Sequence, residues 1–178
     1  MKALKIFALT LMMILIAQGR TFAEAPDISA GETYFDIFKG VYVLKDKVQV
    51  KLNNHGFKAT ITADEAQVSV INQKCWTQGN VKLEQEDITF SCDRAYLEWA
   101  TRTANVEGNV NFENKKGVAI TSDTAVFNWK EKIVDFYGKV TYNEQEYQHI
   151  KYNVVKNEIL EQDETFDAPE INIPEVAQ

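Results

Sequence analysis

The run Cys92-Asp93-Arg94-Ala95-Tyr96-Leu97-Glu98-Trp99, a polar break at Ala100-Thr101-Arg102, and Thr103-Ala104-Asn105-Val106-Glu107-Gly108-Asn109-Val110 read as a strand, a short turn and a strand. The same unit is written on either side of it. Asp64-Glu65-Ala66 leads to Gly79-Asn80-Val81, and Asp123-Thr124-Ala125 leads to Gly138-Lys139-Val140, as Asp93-Arg94-Ala95 leads to Gly108-Asn109-Val110. The Asp-to-Gly interval is fifteen residues in all three copies, and successive Asp residues lie twenty-nine and thirty apart. A period of that size marks a stacked repeat.

Half-copies flank the whole ones. Tyr34-Phe35-Asp36-Ile37 stands twelve residues before Asp46, as Tyr96 stands twelve before Gly108, so Asp46 occupies a Gly place. Asn153-Val154-Val155 falls thirty after Asp123-Thr124-Ala125, and no further Gly-x-Val follows. The chain therefore enters and leaves partway through a repeat, in an array of about nine strands.

β-branched and aromatic residues dominate from Tyr34 to Val155, and no Pro occurs between Pro26 and Pro169, which predicts strands throughout. On the returning strands one face is apolar (Ala104, Val106, Gly108, Val110 and Phe112 in the middle copy) and the other polar, the pattern of a half-buried antiparallel strand. On the outgoing strands the apolar phase flips at the Asp, from Ile88, Phe90 and Cys92 to Ala95, Leu97 and Trp99. A bulge at or just before the Asp restores the phase and bends the strand, and the repeated Gly opposite permits a kink. The predicted fold is all-β: repeated bent antiparallel hairpins forming two facing sheets in a V, with an apolar groove between them.

Ahead of the array, Lys2 and Lys5, the apolar run Ile6–Ala17 and Thr21-Phe22-Ala23 have the form of a secretory signal cut after Ala23. The apolar run is shorter than the roughly 20 residues that span a bilayer. Residues 24–33 read as a polar leader, 34–160 as the β domain, and 161–178, with six acids and no base, as a disordered tail. Of 19 basic residues three precede the cut and none of the 26 acids does, so the mature chain carries 16 − 26 = −10. Such an acidic surface excludes nucleic acid as a partner. Cys75 and Cys92 are even in number, which permits one disulfide in an oxidising compartment. Hairpin pairing around Gln85-Glu86-Asp87 instead sets Cys75 opposite Leu97 and favours two small buried side chains.

Nothing in the chain assembles a catalytic centre. His55 and His149 are the only histidines, neither beside a Ser or Cys in a nucleophile setting, and no phosphate loop or zinc pattern occurs, so the reading is no enzyme, no metal and no cofactor. The crease set Asp64, Gly79, Asp93, Gly108, Asp123 and Gly138 repeats, but one carboxylate per thirty residues is too sparse for calcium. Each Asp is expected to satisfy backbone N–H groups freed by the bulge. The candidate lipid-facing set is Val68, Val81, Leu83, Leu97, Trp99, Val106, Val110, Phe112, Phe127, Trp129, Phe136 and Val140. The small residues at the crease are expected to leave room on the floor of the trough.

Ile61-Thr62-Ala63-Asp64-Glu65-Ala66 followed by Gly79-Asn80-Val81, and Ser91-Cys92-Asp93-Arg94-Ala95 followed by Val106-Glu107-Gly108-Asn109-Val110, resemble the OstA-like family over residues 34–155. The resemblance implies a β-jellyroll of two antiparallel sheets in a V, with lipopolysaccharide or a related acylated glycolipid riding in the groove in the periplasm. It implies edge-to-edge stacking as well. Inner- and outer-membrane lipopolysaccharide-transport proteins would add at the edges, with head-to-tail self-association possible. The half-repeats agree, since Tyr34–Leu52 and Tyr147–Val155 would each leave an unpaired edge open to strand addition. The alternative is a structural or adhesive surface repeat with a filled core and no lipid.

Overall fold

The computed structural model describes residues 27–54, 57–69, 71–85, 87–98, 100–171 and 173–174. The proposed signal, its cleavage site and Trp99 lie outside them. The described residues contain eleven strands and no helix. They are β1 Asp27–Ser29, β2 Glu32–Asp36, β3 Val41–Asn54, β4 Phe57–Ser69, β5 Lys74–Gln85, β6 Ile88–Glu98, β7 Thr103–Asn114, β8 Ala119–Asn128, β9 Ile133–Tyr142, β10 Gln145–Asn153 and β11 Glu158–Asp163. Every pairing is antiparallel between chain neighbours, except that β1 and β2 both lie on β3. The ladder is continuous, so the two facing sheets are one sheet folded along a crease.

The crease falls where the repeated Asp and Gly stand. From Gln78↔Arg94 to Val81↔Cys92 the β5 strand advances three residues and β6 two. From Thr62↔Lys82 to Glu65↔Gln78 the β4 strand advances three and β5 four. The extra residue therefore sits on the returning, Gly-bearing strand, and not at the Asp of the outgoing strand as the apolar phase suggested. The backbone shows why. Gly79 and Asn80 have φ of +73° and +48°, and Gly108 and Asn109 have +75° and +47°. This left-handed pair suits Gly and then Asn, the side chain that best tolerates such a φ. Asp46 and Lys47 hold the same conformation, at +60° and +58°.

The room left by each Gly is taken by an Asp. A Cβ on Gly108 would lie 2.9 Å from Asp93 Cβ, and one on Gly79 would lie 2.9 Å from Asp64 Cβ. Asp64 and Asp93 accept from Asn80 and Asn109 Nδ2, both at 2.8 Å, and Asp123 accepts from the Lys139 backbone N at 3.0 Å. The repeated Gly residues serve this packing on the outside of the fold, while Ala66, Ala95 and Ala125 stand buried on its inner side. At the entering end the two residue types change places. Gly31 stands fifteen before Asp46, donates its N–H to Asp46 O at 2.8 Å, and has no space for a Cβ beside Asp46 Cβ at 2.7 Å. The first repeat is thus complete, with the interrupted pair β1 and β2 as its outgoing strand. At the leaving end Gln148 takes the Asp place, between the pairs Tyr147↔Val140 and His149↔Tyr137.

The crease divides the sheet into two limbs. The first holds β2, the near parts of β3 to β10, and β11; the second begins with β1 and holds the remaining parts. Their apolar faces meet: Phe112 of the second limb packs against Phe136 and Tyr152 of the first, at ring distances of 5.9 and 5.2 Å.

Ordered structure runs beyond the predicted domain at both ends. Asp27–Ser29 and Glu32–Thr33, read as a polar leader, pair with β3. Glu161–Asp163, read as disordered tail, complete β11 on β10. Beyond β11, Phe166 stacks on His149 at 4.4 Å and Trp76 Nε1 donates to Pro174 O at 3.1 Å. The C-terminal residues thus touch the outer face of the first limb at β10 and again at β5. Two of the six acids that suggested disorder are paired here, Asp163 with His149 and Glu161 with Lys151.

Candidate functional site: the interior between the limbs

Inner rows run without interruption across the sheet. One passes Leu44, Ala66, Thr77, Ala95, Val106, Ala125, Phe136 and Ile150 in register. A half-buried period-two strand presents one such residue per crossing, so eight stacked strands make a stripe from one end of the fold to the other.

The interior is not uniform along that stripe. The largest fully buried side chains, Phe112, Ile120, Phe136, Ile150 and Tyr152 with Val110 and Val140, all belong to the C-terminal half. Toward the N-terminal end the buried inner residues are mostly smaller: Leu44, Val48, Ala59, Ala63, Ala66, Val81, Cys92 and Ala95. The C-terminal half is therefore filled by its own side chains, which exclude solvent from the interior there.

Of the candidate lipid-facing residues, Val81, Val106, Val110, Phe112, Phe136 and Val140 are buried in one cluster, with Leu97 and Phe127 packed on it. Val68 belongs to a second, smaller cluster with Leu44, Val48 and Ala66. Leu83 and Trp129 are half-buried and join neither. The crease residues Asp64, Asp93 and Asp123 are exposed on the outside, away from the interior. A polar hollow of about 700 Å³ lies there, lined by Lys45, Asp64, Gln78, Asn80, Asp93 and Arg94 among others. Its mixed charges suit water, not an acyl chain. Cys75 does pair with Leu97 in register, and both thiols are free. Burial pushes both up to about 12, so they stay protonated at neutral pH.

The family profile described as LptA/(LptD N-terminal domain) LPS transport protein matches residues 60–171, more than half of the 178-residue chain. The chain belongs to this family. Members of the LptA/LptD family are transport proteins and not enzymes. Among solved structures, the periplasmic lipopolysaccharide-transport component LptH of Pseudomonas aeruginosa, an LptA homologue, matches with a TM-score of 0.57 and 13% identity. The match covers 68% of this chain and 96% of LptH. It shows the LptA-like β-jellyroll. No curated protein matches the chain.

Two groups escaped the sequence reading. His149, 2% exposed, lies between Asp135 Oδ1 on Nε2 and Asp163 Oδ2 on Nδ1, both at 3.0 Å. The Tyr137, His149 and Phe166 rings cluster together, with Tyr137 5.0 Å and Phe166 4.4 Å from His149 and 5.8 Å from each other, and with Asp163 they join β9, β10, β11 and the C-terminal segment. Glu161 completes a set whose ligand atoms lie within 4.8 Å, but Lys151 sits 3.5 Å from Glu161 and 3.8 Å from Asp135. The arrangement is a charged clamp for the last strand. The second group is the polar contact of Asn114, Tyr152 and Asn157, taken up below.

Proposed function

We propose that the mature protein binds the acyl chains of lipopolysaccharide, or of a related acylated glycolipid, between its limbs in the periplasm. There it bridges inner- and outer-membrane transport components. The inner stripe, continuous from Leu44 to Ile150 and apolar except at Thr77, whose hydroxyl donates to Ala95 O at 3.5 Å, carries this reading. An acyl chain needs a long apolar path whose few polar groups are already satisfied. Membership of the LptA/LptD family supports the choice of lipopolysaccharide as cargo. The sequence form of residues 1–23 supports export, and no helix among the described residues is long and apolar enough to cross a membrane.

Partners would add at the sheet edges. One edge is made by β1 and β2, where Tyr34 and Phe35 remain exposed. The other is β11 on the first limb, because β10, expected from sequence to present the leaving edge over Tyr147–Val155, is already paired there from His149 to Asn153, and on the second limb it is β10 itself over Gln145–Tyr147. Different edges meeting head to tail need not close into a ring, so copies or relatives can extend as a rod.

The filled C-terminal half is the observation that favours the alternative, a structural repeat with no ligand. Titration with lipopolysaccharide separates the two. Transport predicts a saturable change in Trp fluorescence that persists at about 1 M salt, where the screening length falls to about 3 Å. A structural repeat gives no change, and binding abolished by salt would reduce the contact to surface charge.

A further inference from the structure

We propose that Asn114, Tyr152 and Asn157 form a gate across the mouth of the fold at its C-terminal end. Asn114 ends β7 at the tip of the second limb, and Asn157 lies in the β10–β11 turn at the tip of the first. Tyr152 stands on the inner face of β10, 0% exposed.

The bonds close on one another. Asn114 Nδ2 donates to Tyr152 Oη at 2.8 Å and to Asn157 Oδ1 at 2.7 Å, and Tyr152 Oη donates to the same Asn157 Oδ1 at 2.8 Å. Each side chain is set in advance by its own turn. Asn114 Oδ1 accepts from the Lys116 and Val118 backbone N at 2.9 and 3.0 Å, which leaves its amide NH₂ aimed across the mouth. Asn157 is held left-handed at φ +57°, with its N–H on Asn153 O at 2.9 Å. The limbs are tied at this end by side-chain bonds between turns, while every strand is held to its neighbours by a backbone ladder. Separating the limbs here breaks the side-chain bonds and leaves the ladders whole.

Behind the tie lies the filled part of the interior. The Tyr152 ring packs on Phe112, which packs on Phe136. With the tie closed, this aromatic group fills the C-terminal end of the stripe. An acyl chain reaching that end needs the limbs parted and Tyr152 swung aside. The gate rests on the reading that lipid occupies the interior, and it places the barrier to onward passage at one end.

The test uses an Asn114→Cys, Asn157→Cys variant of the full mature chain. The new thiols are bridged with a methylene-linked bis-methanethiosulfonate and released with dithiothreitol. Burial disfavours the thiolate of the native Cys75 and Cys92, and the parent chain treated with the same reagent is the control for them. Lipopolysaccharide uptake is followed by Trp fluorescence, and handover to a differently tagged parent copy by separating the two. Bridging is expected to lower handover at least tenfold while uptake persists, with recovery on reduction. Handover at the unbridged rate overturns the gate. Loss of uptake together with handover also overturns it, because the closed region would then be the binding site itself. An unbridged variant and parent that both take up no lipid overturn the transport reading and the gate with it. As a second arm, Tyr152→Phe removes the hydroxyl and keeps the ring, and should raise handover severalfold; no rise counts against the tie as the barrier.

Discussion

Phe112→Asp should abolish cooperative folding of the C-terminal half. The side chain is 1% exposed, sits in register between Phe90 and Ile120, and touches Phe136 and Tyr152 from the other limb. Removing a buried Phe costs about 3–5 kcal/mol through lost transfer and cavity. A carboxylate with no partner adds several more, against a total stability of about 5–15 kcal/mol for a domain. Thermal unfolding followed by circular dichroism checks this. Phe112→Leu, which stays apolar, should keep a single transition. A transition for Phe112→Asp within a few degrees of the parent would mean that the limbs do not pack on each other there.

Gly108→Val should also be strongly destabilising, and for an outside reason. At φ +75° an L side chain costs about 1–2 kcal/mol, more when β-branched. Crowding against Asp93 Cβ and Cγ, both 2.9 Å from the new Cβ, adds about 1–3 kcal/mol. Gly117→Val is the control: its φ is +89° but no atom lies within 4 Å of the added Cβ, so it carries the conformational cost alone. The difference in unfolding free energy between the two variants measures the Asp-on-Gly packing. Equal losses would show that the repeated Asp contributes nothing to the crease.

Much of the fold was legible because it is written locally and three times. Period-two alternation placed the inner face, and hairpin counting placed Cys75 opposite Leu97. The position of the bulge was not legible. A phase flip shows that one strand of a pair carries an odd residue, but parity is the same whichever strand holds it. Only the left-handed Gly-Asn pair decides, and its signal is conformational. The first repeat was hidden for a related reason. A search for Asp followed by Gly fifteen residues later misses Gly31 followed by Asp46, although the physical requirement, one residue without a Cβ facing one Asp, is the same.

The candidate site was legible as a stripe and not as a gradient. Alternation tells which residues face inward; how completely they fill the space depends on neighbours across the fold. The groups that were missed share this property. Asn114 and Asn157 are forty-three residues apart, and Trp76 and Pro174 ninety-eight. Neither pairing has a local pattern, and the acid-rich composition of residues 161–178 pointed away from the second. Asp163 and Glu161 read as tail because the His149 and Lys151 that neutralise them stand on the preceding strand.

The central claim is that lipid contacts the interior between the limbs and not the outer faces. Photo-crosslinking tests it most directly. Benzoylphenylalanine is placed at Phe90, half-buried on the inner face and paired with Leu83, or at Lys82, exposed on the outer face of the adjacent strand. Each full mature chain is irradiated with lipopolysaccharide. Adducts from position 90 and none from position 82 are the expected result. Adducts from position 82 alone, or from both equally, would contradict an interior path.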